Sequence, residues 1–158
     1  MINIKIICIG KLKEKFTLAM EQEYLKRLNK YAKVEVIELQ DEKIPNNASK
    51  KDEEAVILKE CNKMLEKLSK ISNPYIISLD LKGNQLTSEE FSKKIESITT
   101  NISSTIVFLI GGSLGLNDNI RNVSNELISF SKMTFPHQLF RIFLLEQIFR
   151  AFKISNNE

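Results

Sequence analysis

Apolar residues along the chain change their period several times, and each change marks an element. Ile2–Ile9 is mostly β-branched and runs into Gly10, the pattern of a first, buried parallel strand. Phe16, Met20, Tyr24, Leu28 and Tyr31 then recur at helical spacing with Lys and Glu between them, which predicts an amphipathic helix. Val34, Val36, Ile37 and Leu39 make a second strand over Val34–Leu39. Gln40–Lys51 carries Pro45, Asn46 and Asn47 among its charges and reads as a surface loop. Ser49 and Asp52 stand three apart, as in a capping box, and open a helix striped by Ile57, Cys61, Met64, Leu65 and Leu68. Asn73-Pro74 closes that helix. Tyr75–Leu79 is a third strand, leading into Asp80-Leu81-Lys82-Gly83-Asn84. Thr87 and Glu90 form a second capping box for a helix through about Thr99, and Thr105–Ile110 is a fourth strand. Pro136, favoured in a first turn, starts a last helix to about Ile154. Its apolar residues wrap most of its circumference, so it is buried on more than one face. In a small protein the second face most simply meets another subunit. Strands alternating with helices predict an α/β fold, a mostly parallel sheet flanked by helices, in one domain over 1–158.

Composition narrows the class. A chain of 158 residues with 42% hydrophobic and 27% charged residues fits a globular protein. No apolar run approaches the ~20 residues that span a bilayer. The start of the chain lacks a basic leader and a small-residue cleavage site, so the expected location is cytoplasmic, with no membrane partner. Cys8 and Cys61 both occupy apolar positions and are expected to be buried free thiols. A single histidine and no close cysteine pair argue against a metal site. The net charge of +3 permits a nucleic-acid partner without demanding one. Lys11, Lys13 and Lys15 lie just past the C-terminal end of the first strand, where open α/β sheets bind ligands. They form either a phosphate-contacting edge or a solvated helix start.

The densest chemistry falls between Thr105 and His137. Gly111-Gly112-Ser113-Leu114-Gly115 follows a strand but matches neither the dinucleotide fingerprint nor a P-loop. Adjacent glycines allow close approach of a ligand to backbone and freedom for φ > 0, or simply a tight strand–helix turn. Phe130-Ser131-Lys132-Met133-Thr134-Phe135 alternates apolar with polar before a helix start. It reads as the lining for a planar ring or as ordinary core. His137, the only histidine, sits near a helix N-terminus, where the dipole disfavours the imidazolium. A neutral imidazole there is a weak candidate for accepting a proton or orienting substrate.

Taken together, these strings resemble the RlmH-type (YbeA-type) ribosomal RNA methyltransferases of the SPOUT superfamily. The matching residues are Gly10-Lys11-Leu12-Lys13, Ser78-Leu79-Asp80, Gly111-Gly112-Ser113-x-Gly115, the run Leu127 to His137, and Arg141-x4-Glu146-Gln147-x2-Arg150-Ala151. The resemblance covers essentially the whole chain. It implies a SPOUT-type sheet with a C-terminal trefoil knot, one of the rare exceptions to unknotted topology. It also implies a homodimer, S-adenosyl-L-methionine as methyl donor, and methylation of N3 of pseudouridine 1915 in 23S rRNA on the assembled ribosome. Carried onto this chain, the donor site would comprise Leu79, Gly111, Phe130, Ser131, Lys132, Met133, Thr134 and Phe135. The RNA would meet Lys11, Lys13, Lys15 and Arg141. One departure stands out. The family ends in a Tyr-His-Lys or Tyr-His-Arg tail that borders the donor, whereas this chain ends Ser155-Asn156-Asn157-Glu158. The alternative expectation is therefore a catalytically impaired homologue that binds the donor and associates with ribosomes.

Overall fold

The computed structural model describes residues 1–158 throughout. Its elements, in chain order, are β1 (Asn3–Ile9), α1 (Lys15–Leu28), β2 (Lys33–Leu39), α2 (Lys50–Ser69), β3 (Tyr75–Asn84), α3 (Ser88–Asn101), β4 (Thr105–Ile110), α4 (Asp118–Val123), β5 (Glu126–Ile128) and α5 (His137–Ser155). The five strands form one sheet in the order β2-β1-β4-β3-β5, and every neighbouring pair is parallel. This is the expected α/β architecture, with one strand and one short helix more than the hydrophobic pattern predicted.

Period-2 alternation in the central strands feeds two cores. Ile4, Ile6 and Cys8 of β1, with Ile106, Phe108 and Ile110 of β4, face one side of the sheet. There they meet Phe91, Ile95 and Ile98 of α3 and Leu144, Leu145, Ile148, Ala151 and Phe152 of α5. Ile7, Ile9, Val107 and Leu109 face the other side, against Cys61, Met64 and Leu68 of α2 and Ile120 of α4. Covering both faces is what permits a near-continuous apolar run in a parallel strand. Cys8 and Cys61 are both free and buried.

Local chemistry sets the helix starts. Ser49 and Asp52 form a reciprocal capping box at α2, and Thr87 and Glu90 form another at α3. Asn117 caps α4 by accepting from Ile120 N at 3.1 Å. Six residues of α4 and three of β5 are too few to display a hydrophobic period, which is why the pattern did not reveal them.

One expectation about an apolar stripe needs correction. Phe16 and Met20 of α1 are 64% and 44% exposed, and the helix packs through Leu28 and through Tyr24 and Leu25 instead. Phe143 and Ile154 of α5 are exposed as well. The sheet side of each helix is satisfied within the chain, and these side chains point away from it.

Candidate functional site

Where the C-terminal ends of β3, β4 and β5 converge, the end of β3 and two loops line a cavity of about 510 Å³, within the roughly 300–1,000 Å³ typical of small-molecule sites. Leu79–Lys82 contribute one wall, Ile110–Leu116 a second, and Ile128–Ser131 with Thr134–His137 a third. The C-terminal ends of parallel strands are where open α/β sheets bind ligands.

The glycine loop is shaped by its own closure. Gly115 N donates to Gly112 O at 3.0 Å, and the two residues form an antiparallel bridge. Gly115 sits at φ +87°, a conformation that penalises L side chains. A Cβ at buried Gly111 would stand 2.9 Å from the Gly115 carbonyl carbon and oxygen. The glycine at 111 is thus required by the turn folding back over it, and the positive φ is needed at Gly115 and not at the adjacent glycine pair.

An ion pair ties this loop to the C-terminal half of β3. Arg121 of α4 donates to Asp80 at 2.8 Å, to Asp118 at 2.8 Å and to the Leu116 carbonyl at 2.8 Å. Asp80 and Arg121 both line the cavity. Asp80 keeps only 5% of its side chain exposed, so one clamp holds two walls at a fixed separation. The third wall is held by one main-chain bond, Ser129 N donating to Asn84 O at 3.0 Å, and one to a side chain, Met133 N donating to the Ser131 hydroxyl at 3.0 Å.

Aromatic rings finish the apolar side. Phe140 lies 6.4 Å from Phe130 and 5.8 Å from Phe135, the latter edge to face. The cavity therefore combines an aromatic wall with exposed loop backbone, suited to a flat, heteroatom-rich ring held by main-chain hydrogen bonds.

Of the sequence-derived donor residues, Leu79, Gly111, Phe130, Ser131, Thr134 and Phe135 come together around this cavity. Lys132 and Met133 are absent from its lining, and Met133 is 72% exposed at the outer turn of the loop. His137 is in the lining and half-buried. Burial is the main cause lowering its pKa from the ordinary 6.5, Arg141 and Lys13 add to the effect, and Asp41 opposes it. The shift favours the neutral imidazole.

Lys11, Lys13 and Lys15 are all exposed on the turn between β1 and α1. Arg141 is the clear correction to the expected RNA edge. It is 2% exposed, paired with Glu21 and Glu38, and donates to the Gly10 carbonyl at 3.0 Å. A buried guanidinium already committed to three acceptors is poorly placed to meet a phosphate.

Sequence reasoning passed over Asp80 and Arg121 as a pair because 41 residues separate them. The Asn117-Asp118 step, a helix-start signal, could have flagged α4 and hence its arginine. It also passed over Glu60, buried in α2, which accepts from Glu42 N at 3.0 Å and faces Gly112. Burial raises the Glu60 pKa.

Comparison with known proteins follows the same line. Residues 2–158 match a family model described as "Predicted SPOUT methyltransferase". A protein of Clostridium botulinum (strain Kyoto / Type A2) named ribosomal RNA large subunit methyltransferase H is 54% identical over 156 residues, 99% of this chain and 97% of that protein. One from Clostridium perfringens (strain SM101 / Type A), named ribosomal RNA large subunit methyltransferase H 1, is 51% identical over the same spans. A solved structure described as a probable methylase family protein from Haemophilus influenzae Rd KW20 superposes with a TM-score of 0.58 at 12% identity. That superposition covers 98% of this chain and 68% of the other, and at such identity it speaks to the fold alone.

Proposed function

The chain belongs to the SPOUT methyltransferase family, and from that premise we propose that it transfers a methyl group from S-adenosyl-L-methionine to large-subunit ribosomal RNA. The finer reading is methylation of N3 of pseudouridine 1915 in 23S rRNA, on the assembled ribosome. The single observation that carries the donor reading is the cavity at the C-terminal ends of β3, β4 and β5. The relatives named as ribosomal RNA large subunit methyltransferases match over nearly their whole length, which supports large-subunit ribosomal RNA as the acceptor.

The residues present fit the donor. Phe130, Phe135 and Phe140 would give the adenine an aromatic wall, and the main chain of Gly111–Leu116 and Ser129–Ser131 would supply its hydrogen bonds. Bound there, the donor supplies a methyl group on a sulfonium, which becomes a neutral thioether once the methyl leaves. The chain's part is alignment and proton removal. His137, its neutral form favoured by burial and its place on the cavity wall, takes the N3 proton as the N3–methyl bond forms. Lys11, Lys13 and Lys15 meet phosphates of the acceptor, a contact that positions the RNA without reading its sequence.

Homodimerisation belongs to the same proposal. Phe16, Met20, Phe143 and Ile154 are large apolar side chains left exposed on α1 and α5, the surface a second copy would cover. So does the trefoil threading that membership of the SPOUT family implies. The chain acts as a single methyltransferase domain over 1–158, in the cytoplasm, where ribosomes are.

Photolabelling tests the site directly. Irradiation with methyl-labelled donor should attach label to the peptide spanning Ile128–His137 and be suppressed by unlabelled S-adenosylhomocysteine. Competable label on α2, or none anywhere, would move the donor out of this cavity. Competable labelling without transfer to ribosomes would favour the donor-binding, non-catalytic reading.

A further inference from the structure

Arg141 looks like an expensive choice for the position it holds. Its side chain is 3% exposed and meets Glu21 of α1 at 3.1 Å and also Glu38 of β2. Burying an arginine with two carboxylates costs desolvation that an apolar side chain of similar volume would avoid. Its third contact suggests what the expense achieves. The guanidinium donates to the carbonyl of Gly10 at 3.0 Å, at the turn where β1 ends with φ +94°. A Cβ at Gly10 would stand 3.7 Å from Nε2 of His137. Residues 137 and 141 are one helical turn apart and share a face of α5. One side chain therefore grips the floor beneath the imidazole, while its own helix carries the imidazole.

We propose that Arg141 is a positioning residue, fixing the Gly10 turn and the first turn of α5 at the spacing that presents His137 to the cavity. The inference rests on the proposed role of His137 and adds the group that sets its place. The same turn carries exposed Lys11 and Lys13, so Arg141 also sets the separation between the proposed phosphate edge and the imidazole. The charges facing His137 are Asp41, Arg141 and Lys13. They come from the loop after β2, from α5 and from the β1–α1 turn, three segments that the Arg141 network brings together.

The chain contains one histidine, so histidine-selective isotope labelling gives a single imidazole spectrum. Two variants separate positioning from folding. Arg141→Lys keeps a cation but lacks the fork that reaches three acceptors at once. The triple variant Arg141→Met, Glu21→Gln, Glu38→Gln removes the charges together and leaves no orphaned carboxylate. Donor affinity should stay within about twofold, because the donor contacts are untouched, while kcat falls by about 10²-fold, the cost of misplacing a reacting group by an ångström. The imidazole resonance should shift or split in both variants, with Arg141→Lys closer to the parent than the triple variant. A folded triple variant with unchanged resonance would overturn the proposal, as would a shifted resonance with unchanged kcat. A parent that binds no donor would instead defeat the proposed function. The imidazole spectrum alone would then decide whether Arg141 positions His137.

Discussion

Replacing Gly111 with alanine adds one methyl group where the structure has no room for it. The new Cβ would meet Gly115 C and O at 2.9 Å and Leu116 Cδ2 at 3.0 Å. Two of those atoms are backbone, so relief requires the 112–115 turn to move. Overpacking of this kind costs about 1–3 kcal/mol. For a chain of this length that corresponds to a loss of about 2–12 °C in Tm. The displaced turn is a wall of the cavity, so donor affinity should fall by about 5- to 150-fold if the same free energy is spent re-forming the turn on binding. Neighbouring glycines calibrate the result. At Gly112 the Cβ would meet the tip of the Glu60 carboxylate at 2.9 Å, a group that can swing aside, so the loss should be smaller. At Gly115 there is open space but φ is +87°, so alanine costs about 1–2 kcal/mol through backbone strain, and asparagine less. Calorimetric titration of S-adenosylmethionine and thermal unfolding of the three variants would measure both quantities. Two results would refute the reasoning. If Gly111→Ala kept both Tm and donor Kd, the turn would not be tightly closed. If it lost affinity at unchanged Tm, the glycine would serve the ligand's approach and not the turn.

Four further outcomes are expected. His137 has its pKa lowered by burial, so log kcat/KM should climb with pH through that lowered value and be flat above the ordinary 6.5, and His137→Gln should abolish the climb. Stability follows the same sign: the unfolded chain binds more protons between the lowered and the ordinary value, so denaturant midpoints should rise with pH across that window and level off above it; a midpoint that rises on acidification contradicts this. Phe16→Ser with Met20→Ser should weaken self-association by about 10- to 100-fold per side chain buried, read by sedimentation, whereas an unchanged association constant would place the interface elsewhere. Charge reversal of Lys11, Lys13 and Lys15 should depress transfer to ribosomes while donor affinity holds; preserved transfer removes them from the RNA surface.

Legibility in the sequence varied with length scale. The four strands Ile2–Ile9, Val34–Leu39, Tyr75–Leu79 and Thr105–Ile110 each fall on an observed strand, the central ones because a strand covered on both faces is largely apolar, and the edge strand β2 because its apolar and charged residues alternate. Both capping boxes were legible because their hydrogen bonds close over three residues. The stretch between Gly115 and Phe130 was not, because α4 and β5 are held by contacts across the chain. Asn125 Oδ1 accepts from Ile76 N at 2.7 Å, and Ser78 pairs with Ser124 at 2.6 Å. Arg141 was misread for a related reason. Its partners Glu21 and Glu38 lie more than a hundred residues away, and an isolated arginine on a helix reads as surface. The loop residues Phe130–Phe135 were found as a string, but only the fold separates those turned to the cavity from Met133, turned outward.

The most direct test of the central claim is transfer of labelled methyl from S-adenosylmethionine to assembled ribosomes lacking the modification, using the chain of 158 residues, with the product nucleotide identified by mass spectrometry. The account predicts one methyl per ribosome, on N3 of pseudouridine 1915 in 23S rRNA, and far less on protein-free rRNA. Methylation at another nucleotide would contradict the acceptor assignment. No transfer from a protein that binds the donor would contradict the claim that this cavity is an active site.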